Sequence, residues 1–138
     1  MLDVQSFAAG QWLPSGTGAR NIASAITGDV IAQAGNDALD VQAMLGYARD
    51  VGGPALRKLT FHDRAKMLKS VALYLMERKQ ALYELSYDTG ATLSDHQIDI
   101  DGGIGTVMVF ASKGRREMPD GHVYLDGPPE QLGRVGAF

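Results

Sequence analysis

The sequence predicts a mainly α-helical chain with short β-hairpins at its N- and C-terminal ends, and three observations carry that expectation. Between Thr60 and Gly90, apolar residues recur at helical spacing. Before residue 35, short apolar and β-branched pieces alternate with turn-forming residues, the pattern of brief strands. After Met118 the helical spacing stops, and a Gly-Pro-Pro turn separates two strand-like pieces.

In chain order, Ser6–Trp12 and Asn21–Ala34 read as two or three short strands, separated by turns at Pro14–Gly18 and Thr27–Asp29. Asp40 offers an N-cap to a helix whose stripe is Val41, Met44, Leu45 and Ala48, and Gly52, Gly53 and Pro54 are expected to end it. The long helical region then runs from Phe61 to Thr89. Phe61, Ala65, Leu68, Ala72 and Leu75 line one face, and Leu82 and Leu85 resume it after an interruption near Arg78–Gln80. Thr60 with Asp63 can form a capping box, and Gly90 can take the left-handed conformation that closes the last turn. Ser94 with Gln97 is expected to cap a further helix buried through Ile104, Val107, Met108 and Ala111. Val123–Leu125 and Leu132–Phe138 are the closing strand-like pieces. The strands thus fall in residues 1–35, the helices in 40–112 and a strand-like segment in 120–138.

Composition narrows the functional classes. With 45% hydrophobic and 21% charged residues the chain is of globular type, and 138 residues suffice for one compact domain. No apolar run is long enough to span a membrane, and the first residues lack a basic start, so the cytoplasm is the default compartment. The net charge of −3, with both signs interspersed, gives no footprint for nucleic acid or anionic lipid. The absence of cysteine removes disulfides and thiolate chemistry.

Candidate chemistry is sparse. Gly103 and Gly105 give G-x-G, but Met108 stands where the dinucleotide fingerprint needs its third glycine and no strand precedes them. Gly102, Gly103 and Gly105 read instead as sites of close packing or of a bend, so leucine at 103 or 105 is expected to cost stability. Gly16 and Gly18 are turn glycines with little claim to phosphate. Asp95, His96, Asp99 and Asp101 form the densest ligand-type cluster, yet Gly102 follows Asp101 directly and breaks the calcium-loop spacing. His62 and His122 lack local partners at metal spacing, and Lys113, Arg115, Arg116 and Glu117 read as a solvated helix end. Trp12 and the scattered tyrosines make no stacking platform. No catalytic, cofactor-binding or metal-binding residue is therefore nominated.

The segment Thr60–Gly90 also resembles the aldehyde dehydrogenase superfamily. An R-A-x-x-L opening (Arg64, Ala65, Leu68), the leucines Leu75, Leu82 and Leu85, and a closing D-T-G (Asp88, Thr89, Gly90) occur in the superfamily's order, although Ala91 stands where a lysine is common. Gly52–Ala72, Asp99–Ser112 and Arg116–Asp120 resemble one subgroup, the bifunctional ring-opening enzymes of phenylacetate degradation, which join a semialdehyde dehydrogenase to an oxepin-CoA hydrolase domain. The resemblance covers Ser6–Phe138. It implies that residues 1–138 are an incomplete, N-terminal part of the aldehyde dehydrogenase α/β fold. It further implies a parent enzyme using NAD(P), with NADP the expected cofactor, on a CoA-linked semialdehyde; this chain, without nucleophile or cofactor site, is expected to be inactive. The implied partners are the remainder of the parent and further copies of the chain, with 120–138 as an oligomerisation segment, and neither nucleic acid nor membrane. The rival expectation is a freestanding helical interaction domain without chemistry.

Overall fold

A computed structural model describes residues 1–128, 130–132, 134, 136 and 137. The first 34 residues hold five short strands, more than the spacing of apolar pieces suggested: β1 (Leu2–Val4), β2 (Ser6–Ala8), β3 (Gln11–Leu13), β4 (Arg20–Ala23) and β5 (Val30–Ala34). Strand β5 is central to a three-stranded sheet, parallel to β1 and antiparallel to β4. Strands β2 and β3 form a separate hairpin whose two-residue loop, Ala9–Gly10, has positive φ at both positions, the backbone that matches strand twist. The Thr27–Asp29 turn lies where expected. Its Gly28 has φ +79°, and the buried Ser24 accepts the amides of Ile26 and Thr27 on its hydroxyl.

The helices follow as α1 (Val41–Tyr47), α2 (Gly53–Arg57), α3 (Phe61–Glu77), α4 (Lys79–Tyr87), α5 (Leu93–His96) and α6 (Gly102–Arg116). Asp40 caps α1, accepting the Ala43 amide at 2.9 Å. The Gly52-Gly53-Pro54 stop does not occur. A π-turn at Ala48–Gly52 carries α1 into α2, and Pro54 falls in the first turn of α2, where a missing N–H is tolerated. Thr60 caps α3 by accepting from Asp63 N, but the Asp63 carboxylate pairs with Lys66 at 3.1 Å, so half of the expected box forms. Arg78 separates α3 from α4, its guanidinium 3.5 Å from the centre of the Tyr74 ring and donating to the Tyr74 carbonyl. Gly90, at φ +81°, ends α4 as anticipated. The box before α5 is Thr92 with Asp95, two residues ahead of the expected Ser94–Gln97 pair, and a second π-turn, Gln97–Asp101, leads into α6.

Helices α3 and α6 make the central contact and run antiparallel, since Ala65 abuts Gly114 while Met76 shares a cleft with Ile104 and Gly105. Their seam is built from residues seven apart, three of them alanine: Ala65 and Ala72 on α3, Ile104 and Ala111 on α6, all buried. Val107 and Met108 flank it half-buried, so the expected inner face of α6 is the observed one. The glycine expectation is corrected. A methyl group on Gly102, Gly103 or Gly105 would meet nothing within 4 Å, whereas one on Gly114 would stand 3.2 Å from the Ala65 methyl. Close approach is required at Gly114, about two and a half helical turns beyond Gly105. The expected stripe is also corrected in part, because Leu68 on α3 and Leu85 on α4 are exposed and, of its members, only Ala65 and Ala72 are buried.

Helix α3 has a second apolar face. Met67, Val71 and Tyr74, 44–56% exposed, lie on the side opposite Ala65 and Ala72 at 100° per residue. The chain presents 10279 Å² to solvent, against about 7,000 Å² for a compact monomer of 14.8 kDa. At the end, Val123–Leu125 is not a strand. The small hairpin falls in and just before the last piece, β6 (Gln131–Leu132) against β7 (Gly136–Ala137). Gly133, Val135 and Phe138 of the expected closing strand lie outside the described residues.

Candidate functional site

A groove of ≈ 260 Å³ lies between the first half of α3 and the second half of α6. Ala65, Met108 and Ala111 form its apolar floor, and Lys66, Lys69, Ser112, Arg115 and Arg116 surround it. The i, i+3 spacing of Lys66 and Lys69 places both on one side of α3, and Arg115 and Arg116 close the last turn of α6. The arginines were legible as a helix end, but the lysines were not singled out, since only the antiparallel packing brings the four cations together. Lys113 points elsewhere, to a depression with Phe110, Gly114 and Met118.

The Asp95–Asp101 cluster disperses. Asp95 turns back to Thr92, accepting its backbone N–H at 2.9 Å, and that bond holds the carboxyl below the ordinary aspartate range. Asp101 sits 3.5 Å from Lys79 and beside Tyr83, whose phenol it raises above its usual value. Asp99 is exposed. His96 is completely buried, its Nδ1 2.8 Å from Ser86 Oγ, stacked on Tyr83 and edge-on to Tyr87 at 4.4 Å between centroids. Its Nε2 has no partner among the described residues. Among the described residues no group of three or more His, Cys, Asp or Glu could hold a metal ion.

The remaining candidates have structural duties. Gly16 (φ +82°), Thr17 and Gly18 do cradle an anion, but it is the chain's own Asp37, which accepts Gly18 N at 2.9 Å and Thr17 Oγ1 at 3.2 Å; the Gly18 bond lowers its pKa. His62 joins the start of α3 to the segment after α6, donating from Nε2 to the Met118 carbonyl at 2.9 Å with Nδ1 3.5 Å from Asp120. His122 is exposed. Gly103 and Gly105 lie within α6 rather than in a strand-to-helix turn, so they do not have the geometry that receives a dinucleotide pyrophosphate. Phe7 and Trp12 form an edge-to-face pair on the β2–β3 hairpin, both rings exposed.

Comparison with known proteins places these elements in a family. The model of the aldehyde dehydrogenase family matches residues 12–130, most of the chain. The chain belongs to the aldehyde dehydrogenase family. A curated relative, the 3,4-dehydroadipyl-CoA semialdehyde dehydrogenase of Aromatoleum evansii, is 30% identical over 115 residues, covering 83% of this chain and 22% of that protein. The chain thus spans about a fifth of the length of that aldehyde dehydrogenase. The mostly helical architecture with small sheets fits a partial aldehyde dehydrogenase domain, and among the described residues no helix is long and apolar enough to cross a membrane.

Proposed function

We propose that residues 1–138 are the N-terminal part of an NAD(P)-dependent aldehyde dehydrogenase of aromatic catabolism that oxidises a CoA-linked semialdehyde in the cytoplasm, with NADP as its cofactor. A domain hydrolysing oxepin-CoA belongs to the same reading, in a longer protein. The observation that carries it is the 30% identity, over 83% of this chain, to a protein named as a CoA semialdehyde dehydrogenase. Two physical features support it. The described surface exceeds that of a compact monomer by about 3,300 Å², and α3 is apolar on opposite faces, as a helix inside a larger protein is. The family's reaction needs a nucleophile on the aldehyde carbon and a base for the hydrolytic half. With no cysteine in the sequence, that nucleophile would come from residues beyond these 138, and the chain alone is inactive.

The test compares two proteins. The 138-residue chain should show no saturable NADP binding by calorimetry, while the protein encoded through the residues after Phe138 should reduce NADP with a CoA-linked semialdehyde, followed by absorbance of the reduced nicotinamide. Micromolar NADP binding by the short chain, or a longer protein without a nucleotide-binding fold and a cysteine, overturns the reading.

A further inference from the structure

We propose that Asp126 is a modification site, where the chain converts to isoaspartate through a succinimide closed by the Gly127 nitrogen. The inference does not depend on the reaction proposed above. An Asp-Gly pair suits this chemistry because glycine has no Cβ to hinder its nitrogen as that atom approaches the neighbouring carboxyl carbon. The sequence holds three such pairs, Asp101–Gly102, Asp120–Gly121 and Asp126–Gly127. The fold gives each a different environment. At the first, the Gly102 N–H donates back to the carbonyls of Gln97 and Asp99 at the entry to α6, and the Asp101 carboxylate is 3.5 Å from Lys79 Nζ. At the second, Gly121 donates its N–H to the Pro119 carbonyl at 2.9 Å and accepts the Phe61 N–H at 2.9 Å, while the Asp120 carboxylate faces His62 at 3.5 Å. The third is free. Among the described residues neither Asp126 nor Gly127 has a hydrogen-bond or ion-pair partner, and both are exposed. Exposure alone does not single out this pair, because Asp120 is exposed too; the unbonded Gly127 nitrogen does.

The space around the pair suits ring closure. Gly127 has φ +113°, and a methyl group on it would meet nothing within 4 Å. In the first step the Gly127 nitrogen gives up its proton and bonds to Asp126 Cγ, whose hydroxyl leaves with that proton as water. A water then adds to either carbonyl of the succinimide. Addition at the main-chain carbonyl breaks its bond to nitrogen and gives isoaspartate, whereas addition at the side-chain carbonyl restores aspartate. The water lost equals the water gained, and nothing is oxidised or reduced. Isoaspartate carries an extra methylene in the main chain, on the path from α6 to the β6–β7 hairpin, so ageing of the chain alters the link between them.

The test incubates the 138-residue chain at neutral pH in water labelled with heavy oxygen. Total isoaspartate is read by methyl transfer from S-adenosylmethionine with a protein-isoaspartate methyltransferase, and its position by electron-transfer fragmentation of proteolytic peptides. Isoaspartate at 126 should accumulate roughly five- to tenfold faster than at 120, the factor for freeing one hydrogen-bonded amide. It should form slowest at 101, where a helix must open first. In guanidinium, where no amide is held, the three rates should converge to within about twofold. Asp126→Glu, whose longer side chain cannot close a succinimide, should abolish the signal at 126 and leave the melting temperature and the other two sites unchanged. Equal rates in native buffer, or a faster site at 101 or 120, overturns the inference. So does a difference that survives in guanidinium, since neighbouring residues rather than the fold would then set it. Isoaspartate formed at 126 without uptake of heavy oxygen overturns the succinimide route.

Discussion

Substituting Gly103 and Gly114 separates helix propensity from helix packing within a single helix. At Gly103 an added methyl meets open space, so Gly103→Ala gains the helical preference of alanine, about 0.8–1.0 kcal/mol. At about 2.1 cal/mol/K per residue, unfolding 138 residues carries about 290 cal/mol/K, so each kcal/mol moves Tm by about 3 °C. Gly103→Ala should therefore melt about 3 °C higher. At Gly114 the first added carbon is already 3.2 Å from the Ala65 methyl, which can retreat only if the two helices part. Gly114→Leu adds three more carbons to that seam. Overpacking of about 1–3 kcal/mol, in the upper part of that range here, outweighs the propensity gain and leaves a net loss of about 1–2 kcal/mol, or about 3–7 °C. Thermal melts followed by circular dichroism read both values. Adding Ala65→Gly to Gly114→Leu should recover part of the loss beyond additivity, as residues in contact do. A Gly114→Leu chain melting at or above the parent, or a Gly103→Ala chain melting below it, would refute the packing described for α3 and α6.

Two further predictions concern acid and assembly. Asp37, Asp63 and Asp95 are all held below the ordinary aspartate value by partners in the folded chain, chiefly Gly18 N–H, the Lys66 side chain and Thr92 N–H respectively. Depressed folded values mean that the stabilisation is complete above the unfolded value and is lost as pH falls through the folded one, so the urea midpoint should drop between about pH 5 and about pH 3 and Asp37→Asn should flatten that slope; a flat midpoint in the parent removes the argument. The exposed face Met67–Val71–Tyr74 and the excess surface predict self-association over more than about 1,000 Å². Light scattering that finds only monomer at tens of micromolar, with no binding of a hydrophobic dye, would favour a self-contained domain.

What the sequence revealed depended on whether a feature was local. The interruption at Arg78, the cap at Asp40, the stop at Gly90 and the inner face Ile104–Val107–Met108–Ala111 are decided within one or two helical turns, and they stand where the residues placed them. The Ala9–Gly10 turn was missed because alanine rarely takes positive φ, so only half of its signal was present. Gly52-Gly53-Pro54 looked like a terminator because a wide turn that carries a helix past such residues leaves no mark in spacing alone. Gly103 and Gly114 are indistinguishable as letters; what differs is whether Ala65 stands opposite, which is tertiary information. The groove was illegible for the same reason, since Lys69 and Arg115 are 46 positions apart.

The π-turn at Gln97–Asp101 sets a helical phase. Eight residues of unbroken α-helix would place Ile104 about 80° around from His96, whereas a wide turn absorbs about one residue, roughly 100°, and returns the two to within about 20° of each other. His96 with its tyrosines and the Ile104–Ala111 seam thereby share one flank of a continuous helical run. The constrained property of this segment is then its length. Exchange of the exposed side chains at Gln97, Ile98 or Asp99 leaves the phase intact, while deletion of any one of the five residues would turn α6 away from α3 with every residue of both helices unchanged.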